Sequence, residues 1–518
     1  MVVEKAPLKM KQNAPHETDV IGRSGAENAI LALLLMVLND FHRQNISYCY
    51  WKSSRRVYRG LTGEGDLDLL IAKEDQHRAQ AILLERGLKL FPCVAFRDHP
   101  AILSFLGYDE PSSRIVHLHL HFRLVAGNSL LKNYRLPWEE AILAQTIVHP
   151  KLPIRMLDPV NEALLLIVRG CLELRRSDPI TLRNWRAARH KFALDRRELA
   201  ARVDRVTLNC RATELLGHDL ADMLADAIYG EPTLEDQRRL RRHIQRHFAA
   251  HRAYNAFEAG LRSLGRAVLW AAGSLNKRFL WAPRPWSRRA PGGGRVVAVI
   301  GVDGSGKSTV VRTIREWLSQ EVDVVPIYFG TGAGRPSLVL WPFKLMVPLI
   351  TLLLRTKPKG ASHGKISDRA PGQLYSVLLM FWATAAAIEK HIKLSAAHRG
   401  ANRGLVVLTD RYPQNEIPGF NEGPLMSRLT RVPLWLRRFE ATAYSLAQRL
   451  PPDLVIKLIV TPETAARREP DMDPKVIAER IEAIPRLAFS GAHVVSIDAE
   501  QPLADVVRAV KQQIWRML

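Results

Sequence analysis

Cysteine is scarce: Cys49, Cys93, Cys171 and Cys210 are the only four in 518 residues, and they stand far apart. Without a C-x-x-C pair they offer neither a zinc-binding frame nor a disulfide framework, which suits a reducing cytoplasmic setting. Long apolar runs are missing as well. The most apolar stretch, Leu338 to Leu354, is broken by Pro342, Lys344 and Pro348 and falls short of the roughly 20 apolar residues of a membrane span, so a buried or interfacial helix is expected there. The polar opening MVVEKAPLKMKQNAPHETD lacks the apolar core of a secretory signal, and residues 1–22 are expected to form a disordered lead-in. No repeat of fixed period occurs, which argues against a solenoid. Acidic residues are short too: 51 Asp and Glu face 75 Lys and Arg, a net charge of +24. That balance favours anionic partners, among them nucleotides, nucleic acid and an acidic membrane surface.

What is present is sharper. Residues 295–309 read RVVAVIGVDGSGKST, in which Gly301 to Ser308 complete a G-x-x-x-x-G-K-S phosphate loop. Gly301, Gly304 and Gly306, with Ser305, let backbone N–H groups close around phosphates; Lys307 reaches the β and γ oxygens, and the Ser308 hydroxyl, followed by Thr309, can sit on Mg2+. Context supports the pattern. Val296 to Ile300 suits a buried parallel strand, and Val310, Val311, Ile314, Trp317 and Leu318 recur at helical spacing behind the loop. The loop amides then lie at a helix N-terminus, where the dipole favours an anion. ATP and Mg2+ are the expected cofactors.

A chain of this length exceeds one core, so at least two domains are expected. PRPWSRRAPGGG at 283–294 separates a helical region from the first strand of the phosphate-loop unit and reads as a linker. The divisions are a domain over 23–150, a basic helical region over 151–282, that linker, and a phosphate-loop domain over 295–518. In the last, strand-like Val324–Tyr328, Leu405–Leu408, Leu454–Val460 and His493–Ile497 alternate with helical patterns, including an apolar helix over Leu374–Leu394. This order predicts an α/β fold with a doubly wound parallel sheet. Upstream, Ala26–Leu38 predicts an amphipathic helix, Asp66–Ile71 and Ile115–Leu124 predict strands, and Thr233 with Asp236 predicts a helix start. From Leu261 to Arg289, Arg262, Arg266, Lys277 and Arg278 interleave with Leu264, Trp270, Phe279 and Trp281. That is the composition of a membrane-surface element or of a packed helix followed by a basic linker.

With GVDGSGKST at 301–309 and LVVLTDRY at 405–412, residues 295–518 resemble the thymidylate kinase family of nucleoside monophosphate kinases. The resemblance implies a P-loop kinase fold and phosphoryl transfer from ATP to a nucleotide or related small acceptor. It places Asp303 near the acceptor sugar, and Asp410 and Arg411 by the Mg2+ waters and phosphates. Arg467 and Arg468, in TPETAARREP at 461–470, correspond to the family's lid, and SIDA at 496–499 to its adenine-side segment. Physics agrees, because phosphoryl transfer is catalysed mainly by cations that neutralise the moving group. The acceptor side departs from the family. YFGTGAGR at 328–335 replaces Arg-Glu-Pro-Gly, and LMFWATAAA near Ala383 and Thr384 replaces an Asp-Arg pair. Arg335 or Arg437 could substitute for the missing acceptor-phosphate arginine.

In the N-terminal half, YWKSSRRVYRGLTGEGDLDLL at 50–70 alternates Asp66 and Asp68 with leucines, so one strand turns both carboxylates to one side. Two such carboxylates can hold two Mg2+ ions on a triphosphate. With Ser53 and Ser54 upstream, residues 30 to 130 resemble the DNA polymerase beta-like nucleotidyltransferase superfamily, which implies an α+β domain with a helical extension. Lys52 or Ser53 stands where that superfamily has glycine. In VHLHLHFRL at 116–124, His119 stands where its third carboxylate would be. His117, His119 and His121 share one strand face, and imidazoles suit Zn2+ or Mn2+. Three readings follow: a cytoplasmic ATP-dependent kinase, a nucleotidyltransferase acting through Asp66 and Asp68 on a sugar or other small acceptor, and an ATP-driven switch that attaches peripherally to an acidic membrane or nucleic acid.

Overall fold

The structure is a computed structural model that describes residues 30–174, 178–280, 282–330, 373–417, 422–426, 432–470 and 472–518. The expected lead-in at 1–22, the apolar stretch Leu338–Leu354 and Arg335 lie outside the described residues.

Alternating apolar segments in the N-terminal half build a mixed sheet from β1 (Tyr48–Tyr50), β2 (Leu67–Ile71), β3 (Lys89–Leu90), β4 (Ile102–Asp109) and β5 (Arg114–His121). The short strands β6 (Leu124–Ala126) and β7 (Tyr134–Leu136) pair with each other, while β8 (Thr146–Val148) and β9 (Arg155–Leu157) complete the sheet in the order β3-β4-β5-β2-β1-β9-β8. The single strand expected over Ile115–Leu124 is therefore two. The chain bends at Phe122 and Arg123 so that Leu124–Ala126 can pair with β7. Helix Ala32–Arg43 lays Leu33, Leu34, Val37, Leu38 and Phe41 into the core, so it ends later than the sequence pattern suggested.

Residue 150, where the sequence pattern placed a boundary, lies between β8 and β9. They pair antiparallel across that position, and Met156 of β9 faces Tyr50 of β1 in the same sheet. Helix Pro159–Glu173 starts with Asp158 accepting from the Val160 and Asn161 amides and with proline at its first position. Its apolar face shares one core with Trp51 and Leu70 of the sheet, so the helical region packs on the N-terminal domain. Thr233 and Asp236 form a reciprocal capping box at helix Leu234–His247. Helix Ala256–Leu275 leaves Phe257, Leu261, Leu264, Val268 and Leu275 exposed. Among the described residues no helix is long and apolar enough to cross a membrane.

The segment 283–294 is anchored rather than loose. The Trp286 and Ser287 amides donate to Asp323, the Arg289 amide to the Pro92 carbonyl, and the Ala290 amide to the Gly404 carbonyl. These bonds tie the N-terminal domain to the last one. Across that junction Phe91 stacks on Trp515 at 6.0 Å and Tyr108 meets Trp317 edge-on at 5.8 Å, within the apolar cluster that fills the C-terminal sheet.

That sheet consists of β10 (Arg295–Gly301), β11 (Val324–Tyr328), β12 (Val406–Asp410), β13 (Leu454–Ile459) and β14 (His493–Asp498), all parallel, in the order β11-β12-β10-β13-β14. Buried Val296 to Ile300 explain why β10 lies at its centre. Since β12 and β13 flank β10 on opposite sides, its carboxyl end opens at the switch point where α/β sheets bind ligands.

Candidate phosphate-binding site

The loop after β10 takes its shape from its glycines. Gly304 and Gly306 have φ of +81° and +87°, the left-handed region that favours glycine, and helix Lys307–Leu318 starts directly behind. Gly301 is small for a different reason: a β-carbon there would sit 2.9 Å from the Leu458 carbonyl oxygen and 2.5 Å from Ser305 Oγ. Leu458 is its register partner on β13, so relief would require moving backbone. Gly301→Ala should cost about 1–3 kcal/mol in stability and weaken retention of a fluorescent ATP analogue, as read by denaturant titration and fluorescence anisotropy.

Lys307 is buried, with Nζ donating to the Val302 carbonyl at 2.5 Å and lying 3.8 Å from Asp303. Burial, helped by the Arg411 charge, lowers its pKa to about 8. Ser308 Oγ donates to Asp410 Oδ2 at 3.0 Å, while Asp410 Oδ1 and Ser305 Oγ are buried without a hydrogen-bond partner. A hydroxyl beside a carboxylate with an unsatisfied oxygen is a donor set that fits Mg2+. Thr309 lies in the first helical turn, its carbonyl accepting from Thr313.

Asp303 collects the cations. Arg411, with φ of +70°, and Arg480 each donate to one of its carboxylate oxygens at 2.6 Å. Arg468 reaches the Gly304 carbonyl at 3.1 Å, whereas Arg467 turns to Thr464 Oγ1 at 3.3 Å. Of the two lid arginines named from the sequence, Arg468 is thus the one bonded to the loop. Lys390 Nζ lies 3.0 Å from Glu422 and 3.1 Å from Tyr444 Oη, and Lys393 lies 2.8 Å from Glu389. Burial opposes the Lys390 charge, but Glu422 outweighs it and keeps the amine protonated. Arg411 also approaches Glu422, at 3.5 Å. Arg437, offered from the sequence as a substitute cation, is on helix Leu434–Arg449 with its side chain exposed.

Sequence reasoning missed Arg480, Glu389, Lys390, Lys393 and Glu422. Glu389, Lys390 and Lys393 could have been noticed as charges interrupting an apolar helix. Arg480 has no local signal, because helix Pro474–Arg486 carries charges on several faces.

No protein-family profile matches the chain. It is similar to the uncharacterised ATP-binding protein YghS of Escherichia coli (strain K12), 29% identical over 228 residues that span 43% of this chain and 94% of the relative. The uncharacterised ATP-binding protein YghR of the same strain is 27% identical over 239 residues, 45% of this chain and 90% of the relative. Among solved structures, deoxyadenosine kinase from M. mycoides with bound dATP covers 42% of this chain and 98% of its own, at 15% identity and a TM-score of 0.25.

The N-terminal pair is positioned separately. Asp68 is on β2 and Asp66 immediately precedes it, with Asp66 against His117 and Asp68 against His119 and His121. Burial opposes ionisation of Asp68, but Lys52 and the two imidazoles hold its carboxyl well below the ordinary range. Burial, followed by the Arg169 charge, pushes Lys52 down to about 7. Lys132 and Arg169 also act on Asp68. No comparison supports a nucleotidyltransferase assignment for this half.

Proposed function

We propose that this protein binds ATP at the Gly301–Thr309 loop and is an ATP-dependent phosphotransferase of nucleoside monophosphate kinase type, acting on a nucleotide or related small acceptor. The observation that carries the reading is the convergence of Lys307, Arg411 and Arg480 on Asp303 at the mouth of a phosphate loop. The two Escherichia coli relatives, both named as ATP-binding proteins, support the nucleotide half. In this reading the loop amides cradle the β-phosphate, and Lys307 exchanges the Val302 carbonyl for a phosphate oxygen. Arg411 and Arg480 turn from Asp303 to the transferring group, and Arg468 closes the loop side. Ser308 and Asp410 would hold Mg2+, which when bound neutralises charge on the β and γ oxygens.

The acceptor side needs a broad panel, because Lys390 and Lys393 are each paired with a carboxylate. ADP formation from Mg-ATP should be stimulated by one member of a set of nucleoside monophosphates and unphosphorylated sugars, and should persist in Asp68→Ala. If no acceptor stimulates it, the kinase reading falls. A second reading, nucleotidyl transfer at Asp66 and Asp68, draws support from the Lys52, Lys132 and Arg169 charges acting on Asp68. Pyrophosphate release abolished by Asp68→Ala would mark it.

A further inference from the structure

The kinase reading makes no use of the three histidines on β5, and they are the best-organised donor set in the N-terminal domain. Their alternation in RIVHLHLH puts them on one strand face. Parallel pairing with β2 then sets Asp68 opposite His119 and Leu70 opposite His121. Asp68 Oδ1 consequently lies 2.8 Å from His121 Nε2 and 3.3 Å from His119 Nδ1. Asp66 Oδ1 lies 2.7 Å from His117 Nδ1. The donor atoms of Asp68, His119 and His121 all fall within 4.8 Å of one another, and so do those of Asp66, His117 and His119. Ligands about 2.1 Å from a shared ion stand at most about 4.2 Å apart, and both Asp68–imidazole distances fall inside that limit.

The surroundings fix this geometry. His121 is fully buried, edge-on to Trp51 at 4.9 Å. His117 is buried between Asp66 and Glu321, 3.0 Å from the latter, with Arg288 of the segment 283–294 donating to its Nε2 at 3.1 Å. Asp68 and Glu173 face Lys52, Lys132 and Arg169, and Asp66 adds a third carboxylate beside His117. An entering dication therefore meets no excess of positive charge.

We infer that Asp68, His119 and His121, with Asp66 and His117 adjoining, bind a divalent transition-metal ion such as Mn2+, Co2+ or Zn2+. Two imidazoles and a carboxylate on one side of an ion leave positions open for a ligand, and imidazole donors select against Mg2+, which prefers oxygen. The site is thus different in kind from two Mg2+ ions held by Asp66 and Asp68. It is also independent of the phosphate loop.

The test is a Co2+ titration of full-length protein after chelator treatment, followed by visible absorption. About one Co2+ per chain should bind with ligand-field bands, and Zn2+ but not a large excess of Mg2+ should displace it. His119→Ala and Asp68→Asn, each checked by circular dichroism, should lose the bands, while Lys307→Ala should keep them. Bands that are absent, that survive in a folded His119→Ala or Asp68→Asn protein, or that Mg2+ displaces would overturn the inference. Loss in Lys307→Ala would do the same by placing the ion at the phosphate loop.

Discussion

Replacing Lys307 by alanine should lower acceptor-stimulated ADP formation about 10³-fold, the upper range for removing one preorganised cationic contact to a reacting group. Its ammonium already sits inside the loop, donating to the Val302 carbonyl, so no side-chain ordering remains to be done when phosphates arrive. Folding should not suffer. With a pKa of about 8 in the folded chain against 10.5 for a free lysine, the buried charge costs stability below about pH 8. The folded state binds fewer protons than the unfolded one between those values, so the cost is relieved as pH rises through that window. Binding runs the other way: the free protein loses the cation above about pH 8, and Mg-ATP affinity should fall there. Equilibrium binding from pH 6.5 to 9.5 checks this, and a flat profile shared by wild type and Lys307→Ala would show that the lysine does not meet phosphate.

Asp303→Ala should destabilise the nucleotide-free protein by about 3 kcal/mol, because breaking a buried ion pair from one side strands its partner. Here two guanidiniums, Arg411 and Arg480, lose their shared carboxylate beside Lys307, with Glu422 still 3.5 Å from Arg411, and all four side chains are largely buried. The loss should shrink in saturating Mg-ATP, since the triphosphate supplies the anion that the carboxylate had provided. Thermal unfolding of wild type and variant, each with and without nucleotide, measures the difference. An equal gain on adding nucleotide to both would mean that these arginines do not turn to phosphate, and the mechanism drawn from their positions would fail.

Much of the C-terminal half is legible in the chain because its signals are local. A buried β-branched strand, a loop whose glycines tolerate positive φ and a helix behind it are contiguous, and β11 runs over Val324–Tyr328 as its apolar run predicts. β12 and β13 lie within one or two residues of their apolar runs, since parallel strands buried on both faces must be continuously apolar, and the half-exposed edge strand β14 begins at His493 as expected. The N-terminal sheet is less legible. Its strands are short and mixed in direction, β9 joins from beyond the expected boundary, and β5 and β6 share one apolar run that only a bend separates.

By itself the sequence determined that a phosphate-binding loop is present, that the following strands form a parallel sheet, and that Asp66 and Asp68, like the histidines of β5, each point to one side of a strand. Periodicity and turn chemistry act over a few residues, and those statements need no more. Only the tertiary structure decided that Arg480 shares Asp303 with Arg411 and that Glu422 neutralises Lys390. It alone set Asp68 opposite His119. These are contacts between segments tens of residues apart, settled by strand register and helix packing, to which charge and hydrogen bonding respond but which no local pattern encodes.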